Sequence, residues 1–132
     1  MATPAYEIPL FKIGTLLAGA DLTGKQFCFV ALHTDGTVVM PATGTGQKVL
    51  GVLQNKPNTG EACEIMVIGV TALKADGVGL TAGDGIEAVI TTGLAQTAAG
   101  AGTNVVGTCL QTAAASAVFT ALINCGTAYI AS

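Results

Sequence analysis

The sequence has no arginine and no tryptophan, and only 10 % of its 132 residues are charged. Soluble domains typically carry about 25 % charged residues. Because duplex nucleic acid is bound largely by Arg and Lys that neutralise phosphates, a chain with a net charge of −3 is a poor candidate for that role. The scarcity of long charged side chains also argues against a coiled coil or an ion-paired helical bundle.

Long apolar runs are also missing. Gly, Thr, Asn or Gln interrupts each apolar stretch well before the 18 or so residues that a spanning helix needs. Residues 1–7 lack the basic segment that opens a signal peptide. We therefore expect neither a membrane partner nor a secretory leader.

The cysteines are few and widely spaced, and no C-x-x-C pair occurs among Cys28, Cys63, Cys109 and Cys125. With His33 as the single histidine, the spacing predicts no zinc site. We expect four reduced thiols that act as small core residues, with disulfides as the alternative.

Charge is confined to one part of the chain. Every Asp, Glu and Lys lies between Glu7 and Glu87, so residues 88–132 carry none. One interpretation is a surface kept polar by Thr, Gln and Asn. The other is that another copy or another protein covers this segment, because free monomers normally keep a charged, mixed surface. The second interpretation predicts that residues 88–132 are largely covered in an assembled particle.

Turn residues recur at intervals of about ten, which is typical of an all-β sandwich or barrel. The sequence is 51 % hydrophobic and long enough for a single core. A hairpin turn is predicted at Thr34-Asp35-Gly36-Thr37, because Asp-Gly readily takes positive φ. The strands predicted in the first half cover residues 27–32, 38–40, 49–53 and 64–68, the last closed by Gly69.

The second half repeats this plan at spacings of about 56 to 58 residues. The matched segments are 22–24 with 80–83, 35–36 with 92–93, 42–46 with 98–102, 49–51 with 105–107, 53–54 with 110–111, and 65–69 with 122–126. We predict one compact, barrel- or sandwich-like β-domain over residues 20–132, built from pseudo-repeats at about 20–76 and 77–132.

Two segments leave alternatives open. Residues 112–122 are rich in Ala and favour a helix locally, whereas the repeat predicts a strand over 118–123, and we follow the repeat. Residues 1–19 have no match in the second half. Their prolines keep the chain extended, so they form either an edge strand that closes the domain or an arm that lies on a partner.

Candidate catalytic residues are scarce. His33 and Asp35 could share a sheet face, but Ser116 lacks the strand–Gly-x-Ser-x-Gly–helix setting of a hydrolase nucleophile. We interpret His33 as a surface residue beside the turn, and a small hydrolase is the least favoured function.

Candidate ligand-binding patterns are equally weak. Residues 77–82 and 83–88 resemble a dinucleotide fingerprint, but no helix is expected after either. Asp76, Asp84 and Glu87 fit solvated turns better than a calcium site, which needs more oxygen ligands at set spacing. We expect no enzyme activity, no cofactor, no metal and no small-molecule substrate.

The order of these motifs resembles that of the capsid decoration, or cement, proteins of tailed bacteriophages. The segments that carry the resemblance are Leu22-Thr23-Gly24, Thr34-Asp35-Gly36-Thr37-Val38, Val49-Leu50-Gly51-Val52, Ile65-Met66-Val67, Gly69-Val70-Thr71 and Leu80-Thr81-Ala82-Gly83-Asp84. The resemblance as a whole covers roughly residues 20 to 125. The resemblance implies a compact β-barrel-like domain that assembles as a homotrimer on the outside of a shell of major capsid protein.

The expected function is therefore that of a structural virion protein, made in the host cytoplasm, which binds the outer capsid surface and stiffens the shell. Another virion or surface β-module, such as a tail or fibre component or a glycan-binding domain, is the alternative. The candidate capsid or subunit contacts lie in the N-terminal segment: Pro4, Tyr6, Ile8, Pro9, Leu10 and Phe11.

Overall fold

The computed structural model describes residues 8–42, 49–98 and 105–126, which form nine β-strands and no helix. The expected all-β class is confirmed. No helix long and apolar enough to cross a bilayer occurs in these ranges. The strands are β1 (Ile8–Leu17), β2 (Phe29–Leu32), β3 (Val38–Val39), β4 (Val49–Leu53), β5 (Ala62–Lys74), β6 (Gly85–Ala88), β7 (Ala95–Thr97), β8 (Gly107–Cys109) and β9 (Val118–Asn124).

These strands form one antiparallel sheet that curls into a half-barrel. The strand order is β3-β2-β4-β5-β9-β8-β6-β7, and β1 pairs with β5 outside this path. β5 is the longest strand, with 13 residues, and it contacts β1, β4 and β9. It is therefore the element that joins the N-terminal strand to both parts of the sheet.

The sheet consists of two halves with the same connectivity. In the first half β2 pairs with β3 and β4, and β4 pairs with β5. In the second half β6 pairs with β7 and β8, and β8 pairs with β9. β5 and β9 then pair with each other, so the two halves meet at their last strands. The predicted pair of repeated halves is thus present in the topology.

The strand register repeats as well. Val52 lies opposite Met66 and Thr108 lies opposite Leu122, and each second-half residue follows its counterpart by 56 positions. The other register pairs that match in this way are Phe29↔Val52 with Gly85↔Thr108, Val30↔Gly51 with Ile86↔Gly107, and Leu53↔Ile65 with Cys109↔Ala121.

This register corrects two of the matches made on the sequence. Ile65 corresponds to Ala121 and not to Leu122, and Leu53 corresponds to Cys109 and not to Leu110. Neighbouring residues of a strand point to opposite faces, so a slip of one residue exchanges the buried and the exposed side chains. The buried members of the second half are accordingly Cys109 and Ala121, while Leu122 is exposed.

The N-terminal strand also has a counterpart, which the sequence comparison missed. Leu17 lies opposite Ala62 on β1·β5 just as Lys74 lies opposite Val118 on β5·β9. The preceding pairs correspond in the same way: Leu16↔Cys63 and Leu73↔Phe119. β5 is therefore shared by the two halves: its first part is the last strand of the first half, and its end is the first strand of the second half. β1 is the equivalent first strand of the first half.

The apolar side chains form two clusters. The smaller belongs to the first half and contains Ala18, Leu22, Val30, Val38, Leu53, Cys63 and Ile65. The larger combines first-half side chains, among them Phe29, Val49, Val52 and Met66, with the core of the second half, which includes Leu73, Ile86, Val106, Phe119 and Ile123. One face of the first half thus packs against the core of the second.

Two local predictions are settled by the strands. β9 covers Val118–Asn124, so the strand predicted from the repeat is confirmed and the helical alternative is wrong. β5, in contrast, does not stop at Gly69 but continues to Lys74. Gly69 has φ of 146°, a conformation that glycine tolerates, and the strand passes through it.

Candidate functional site

The candidate contact residues lie on or before β1. Pro4 and Tyr6 lie outside the described residues. Ile8 and Leu10 are residues of strand β1. Pro9 is exposed. Phe11 is 55 % exposed, whereas phenylalanine is among the residues most often buried.

β1 is an edge strand whose described side chains are all exposed or half-buried. It pairs with β5 only, and its register shifts at three places, so the pairing is irregular. Lys12 forms an ion pair with Glu64 across this pair. A long, apolar edge strand presents backbone groups to which another chain can add a strand, and natural proteins usually protect such edges. Here Pro9 and Lys12 are the only protecting residues among those described in β1.

Large apolar side chains are exposed elsewhere on the described surface, and most of them fall in the charge-free part of the chain. The exposed residues after residue 88 are Ile90, Val105, Leu110, Val118 and Leu122. On β9 the buried and exposed positions alternate, yet both faces carry apolar residues. That pattern differs from the usual alternation of apolar inside and polar outside in a sheet with one solvated face.

The β2–β3 turn brings the only histidine and an aspartate together. His33 Nδ1 lies 3.1 Å from Asp35 Oδ1, and both side chains are more than half exposed. The Thr37 hydroxyl donates to Asp35 at 2.6 Å, and the Thr37 backbone N–H donates at 3.0 Å. These bonds, with a smaller effect of His33, lower the pKa of Asp35 to about 2. The aspartate therefore orders the turn.

The fold does not bring together the two residues considered for a hydrolase, Ser116 and His33. Ser116 lies in the turn before β9, where its N–H donates to the Asp76 carbonyl. His33 follows β2, and the sheet places β4 and β5 between β2 and β9. Ser116 and His33 thus belong to separate parts of the sheet.

The three acidic residues considered for calcium have separate hydrogen-bond partners. Asp76 accepts from the N–H groups of Val78 and Gly79, both at 3.0 Å. Asp84 accepts from the Thr81 N–H and the Thr97 hydroxyl, and Glu87 accepts from the Gln96 amide. No cluster of three potential metal ligands exists within residues 8–42, 49–98 and 105–126. Likewise, 85–88 of the second glycine pattern is strand β6 and not a helix start.

A pocket and a groove lie where the halves meet. The pocket, about 230 Å³, is lined by Ala31 and Pro41 of the first half and by Glu87 and Gln96 of the second. This volume is below the roughly 300 Å³ at which ligand pockets usually begin. The groove, about 370 Å³ and more open, includes Gln26, Phe27, Lys56, Lys74 and Val118.

The cysteine thiols are buried, as the sequence predicted. Burial raises the pKa of Cys28, Cys63 and Cys109 above the ordinary thiol value of 9.0. Since the thiolate is the nucleophile, these side chains are inert packing groups at neutral pH.

A scan against protein-family models finds no match for the chain, and a search of curated proteins finds none either. The features that remain are the exposed edge strand β1 and the exposed apolar face of β9. The sequence pointed to β1 through its apolar residues and prolines. It did not single out Leu122, because the one-residue slip in the matched segments hid its outward position.

Proposed function

We propose that the chain is a structural protein that decorates the outer surface of a tailed-phage capsid and stabilises the shell. Its partners are the major capsid protein and two further copies of itself. It acts as a binding protein and not as an enzyme, and it uses no cofactor. It is made in the host cytoplasm and ends up on the outside of the virion.

The observation that carries the proposal is the position of β1. This strand lies at the edge of the sheet and exposes Pro9 and Phe11 rather than burying them. A segment of capsid protein can add to such an edge through main-chain hydrogen bonds, while the Phe11 ring fills a pocket on the partner. Residues 8–11 are the described part of the contact segment expected from the sequence.

The sheet supports this role mechanically. A single antiparallel sheet with two packed clusters resists local deformation, because packed interiors are close to crystalline density. Three copies that act together would bind far more tightly than one, since linked contacts raise avidity without new interactions. A modest footprint for each copy, on the order of 1,000 Å², is then sufficient for specific binding.

One turn that carried the family resemblance has the expected conformation. Gly36 has φ of 86° in the β2–β3 turn, and Gly93, where the second half has Thr-Gly in place of Asp-Gly, has φ of 70°. These positive values are the ones that favour glycine at hairpin turns. The motifs thus act as turn signals, which supports the proposal at the level of the fold.

The direct test is co-sedimentation with capsids prepared without a decoration protein, from the phage that encodes the chain. We expect saturable binding with a fixed number of copies for each capsid, and a higher temperature of capsid disruption when the protein is bound. A protein that stays in the supernatant at all concentrations would contradict the proposal.

A further inference from the structure

The two halves differ in which equivalent residues are buried. Met66 is fully buried, whereas its counterpart Leu122 is 45 % exposed. Val49 is 7 % exposed, whereas Val105, at the same place before β8, is 49 % exposed. The same fold therefore has one face covered in the first half and open in the second.

The cover on the first half is the second half itself. Val49 and Met66 belong to the large cluster that also holds the second-half core residues Leu73 and Val106. The face that is open in the second half, here called the β9 surface, consists of Gly85, Val105, Thr108 and Leu122, the counterparts of Phe29, Val49, Val52 and Met66. On this surface a Cβ placed on Gly85 would lie 3.5 Å from Val105 Cγ1. Thr108 lies opposite both Gly85 and Leu122, so the four residues are contiguous.

Another set of equivalent residues shows the reverse difference, with the second-half members buried and the first-half members more exposed. Leu73 and Val106 are buried in the second half, but their first-half counterparts Leu16 and Leu50 are only half-buried. Both pack against the small first-half cluster. This open side, here called the β1 surface, consists of Leu16, Leu50 and the β2–β3 turn around Gly36.

The two equivalent hairpin turns, at Gly36 and Gly93, show this difference in surroundings most clearly. A Cβ on Gly93 would meet the Phe29 carbonyl and the Met40 side chain, because the second-half turn packs onto the first half. A Cβ on the counterpart Gly36 would meet nothing within 4 Å. The first-half turn thus lacks the surface against which the second-half turn is packed.

Backbone hydrogen bonds join the two halves of the chain, and equivalent bonds can form between two copies of it. The Phe29 N–H donates to the Gly93 carbonyl at 2.7 Å. The Lys74 N–H donates to the Phe27 carbonyl at 3.0 Å. The backbone groups equivalent to this Lys74–Phe27 pair are the N–H of Leu17, beside the β1 surface, and the carbonyl of Gly83, beside the β9 surface. Both Leu17 and Gly83 are exposed. Phe27 and Gly83 also share a positive φ, 67° and 95°.

We propose that copies of this chain associate head to tail, the β9 surface of one copy packing on the β1 surface of the next and reproducing the junction between the two halves. The contact is heterologous, so it forms a closed ring if the rotation between copies closes. It deepens the assembly part of the proposed function by assigning the surfaces, and three copies would place six equivalent halves in one ring. The test uses no capsid, so its failure is distinguishable from failure of capsid binding.

The experiment compares two interface variants with two matched controls by light scattering and thermal unfolding. Leu122→Lys alters the β9 surface, and Val118→Lys is its control on the same face of β9, because the counterpart of Val118, Ala62, is exposed. Leu16→Lys alters the β1 surface, and Leu17→Lys is its control, because the counterpart of Leu17 is already Lys74.

The wild type and both controls should form the same oligomer, while L122K and L16K should each be monomers that unfold cooperatively. A mixture of L122K and L16K should form 1:1 dimers and nothing larger, because each variant keeps the surface that the other lacks. If L16K does not unfold cooperatively, L50K replaces it on the same surface. Wild-type protein that stays monomeric at every soluble concentration, variants that stay monomeric when mixed, or controls that dissociate as completely as L122K would overturn the proposal.

Discussion

At the scale of single residues, two glycines show how closely the halves repeat. A Cβ on Gly51 would collide with the Met66 carbonyl, and one on Gly107 would collide with the Leu122 carbonyl. Both glycines lie on the third strand of their half and face the backbone of the fourth. Glycine is required at both places because the backbone of the neighbouring strand lies too close for a Cβ, and neither glycine has a positive φ.

We predict that Gly107→Ala lowers the free energy of unfolding by about 1–3 kcal/mol, the usual cost of overpacking a well-packed site. Because the obstacle is a backbone carbonyl, it cannot move aside by changing rotamer. Chemical denaturation measures the effect. Gly14→Ala in β1 is the control, since a Cβ there has nothing within 4 Å and should leave stability almost unchanged. Equal losses for the two variants would show that the Leu122 carbonyl does not exclude a side chain at position 107.

A second residue-scale prediction concerns Asp35. Its pKa lies near 2, below the ordinary 3.8, so the folded state binds this proton less readily than the unfolded chain. The stabilisation is present above pH 3.8 and is lost as the pH falls from there towards 2. Thr37→Val removes the hydroxyl donor and should raise the pKa towards 3.8, as measured by NMR titration of the carboxyl group. A pKa that stays near 2 in the variant would refute the role of Thr37.

The strand register is the property of these residues that the sequence predicts least well. The segment match between the halves was sound for 49–51 with 105–107 and for the glycine turns. It slipped by one position at 65–69, because both strand faces there carry apolar residues and no polar alternation fixes the register. That slip is the reason the exposed position of Leu122 was not foreseen.

At the scale of elements, β9 shows a tertiary effect that overrides local propensity. Residues 113–117 are almost all alanine and favour a helix, yet Val118–Asn124 is a strand and the alanine segment before it contains no helix. Pairing with both β5 and β8 supplies the hydrogen bonds that a lone helix turn would otherwise provide. The repeat predicted this strand, whereas the continuation of β5 beyond Gly69 depended on partners that are distant in sequence.

For the edge strand β1, we predict the effect of removing its exposed phenylalanine on capsid binding. Burial of a phenylalanine side chain contributes about 1.5–3 kcal/mol, so Phe11→Ala should weaken binding of each copy to capsids about ten- to a hundred-fold. Quantitative co-sedimentation measures this change. Val78→Ala is the matched control, because Val78 is 86 % exposed but lies in the loop after β5, away from β1. Equal affinity of the Phe11 variant and the wild type would show that β1 does not hold the capsid.

At the scale of the whole molecule, the uneven charge agrees with the head-to-tail association proposed above. The charge-free segment 88–132 includes Val105 and Leu122 of the β9 surface. A surface that packs on another copy gains nothing from charged side chains, whose desolvation is costly unless they are paired. Composition alone predicted a covered segment. The structure adds that Val105 and Leu122, within the described part of this segment, are exposed.

The fold class and the two-fold repetition were predictable because turn residues and apolar runs are local signals. The joining of the halves through β5, the role of β1 as a counterpart of the end of β5, and the unequal burial of equivalent residues were not. These properties depend on pairings between strands far apart in the chain. Local sequence carries little information about such pairings.

Electron cryo-microscopy of undecorated capsids mixed with the purified chain tests capsid decoration most directly. We predict added density on the outer surface only, in clusters of three copies, with β1 of each copy against the capsid protein. Capsids that show no added density, or density on the inner surface, would contradict it.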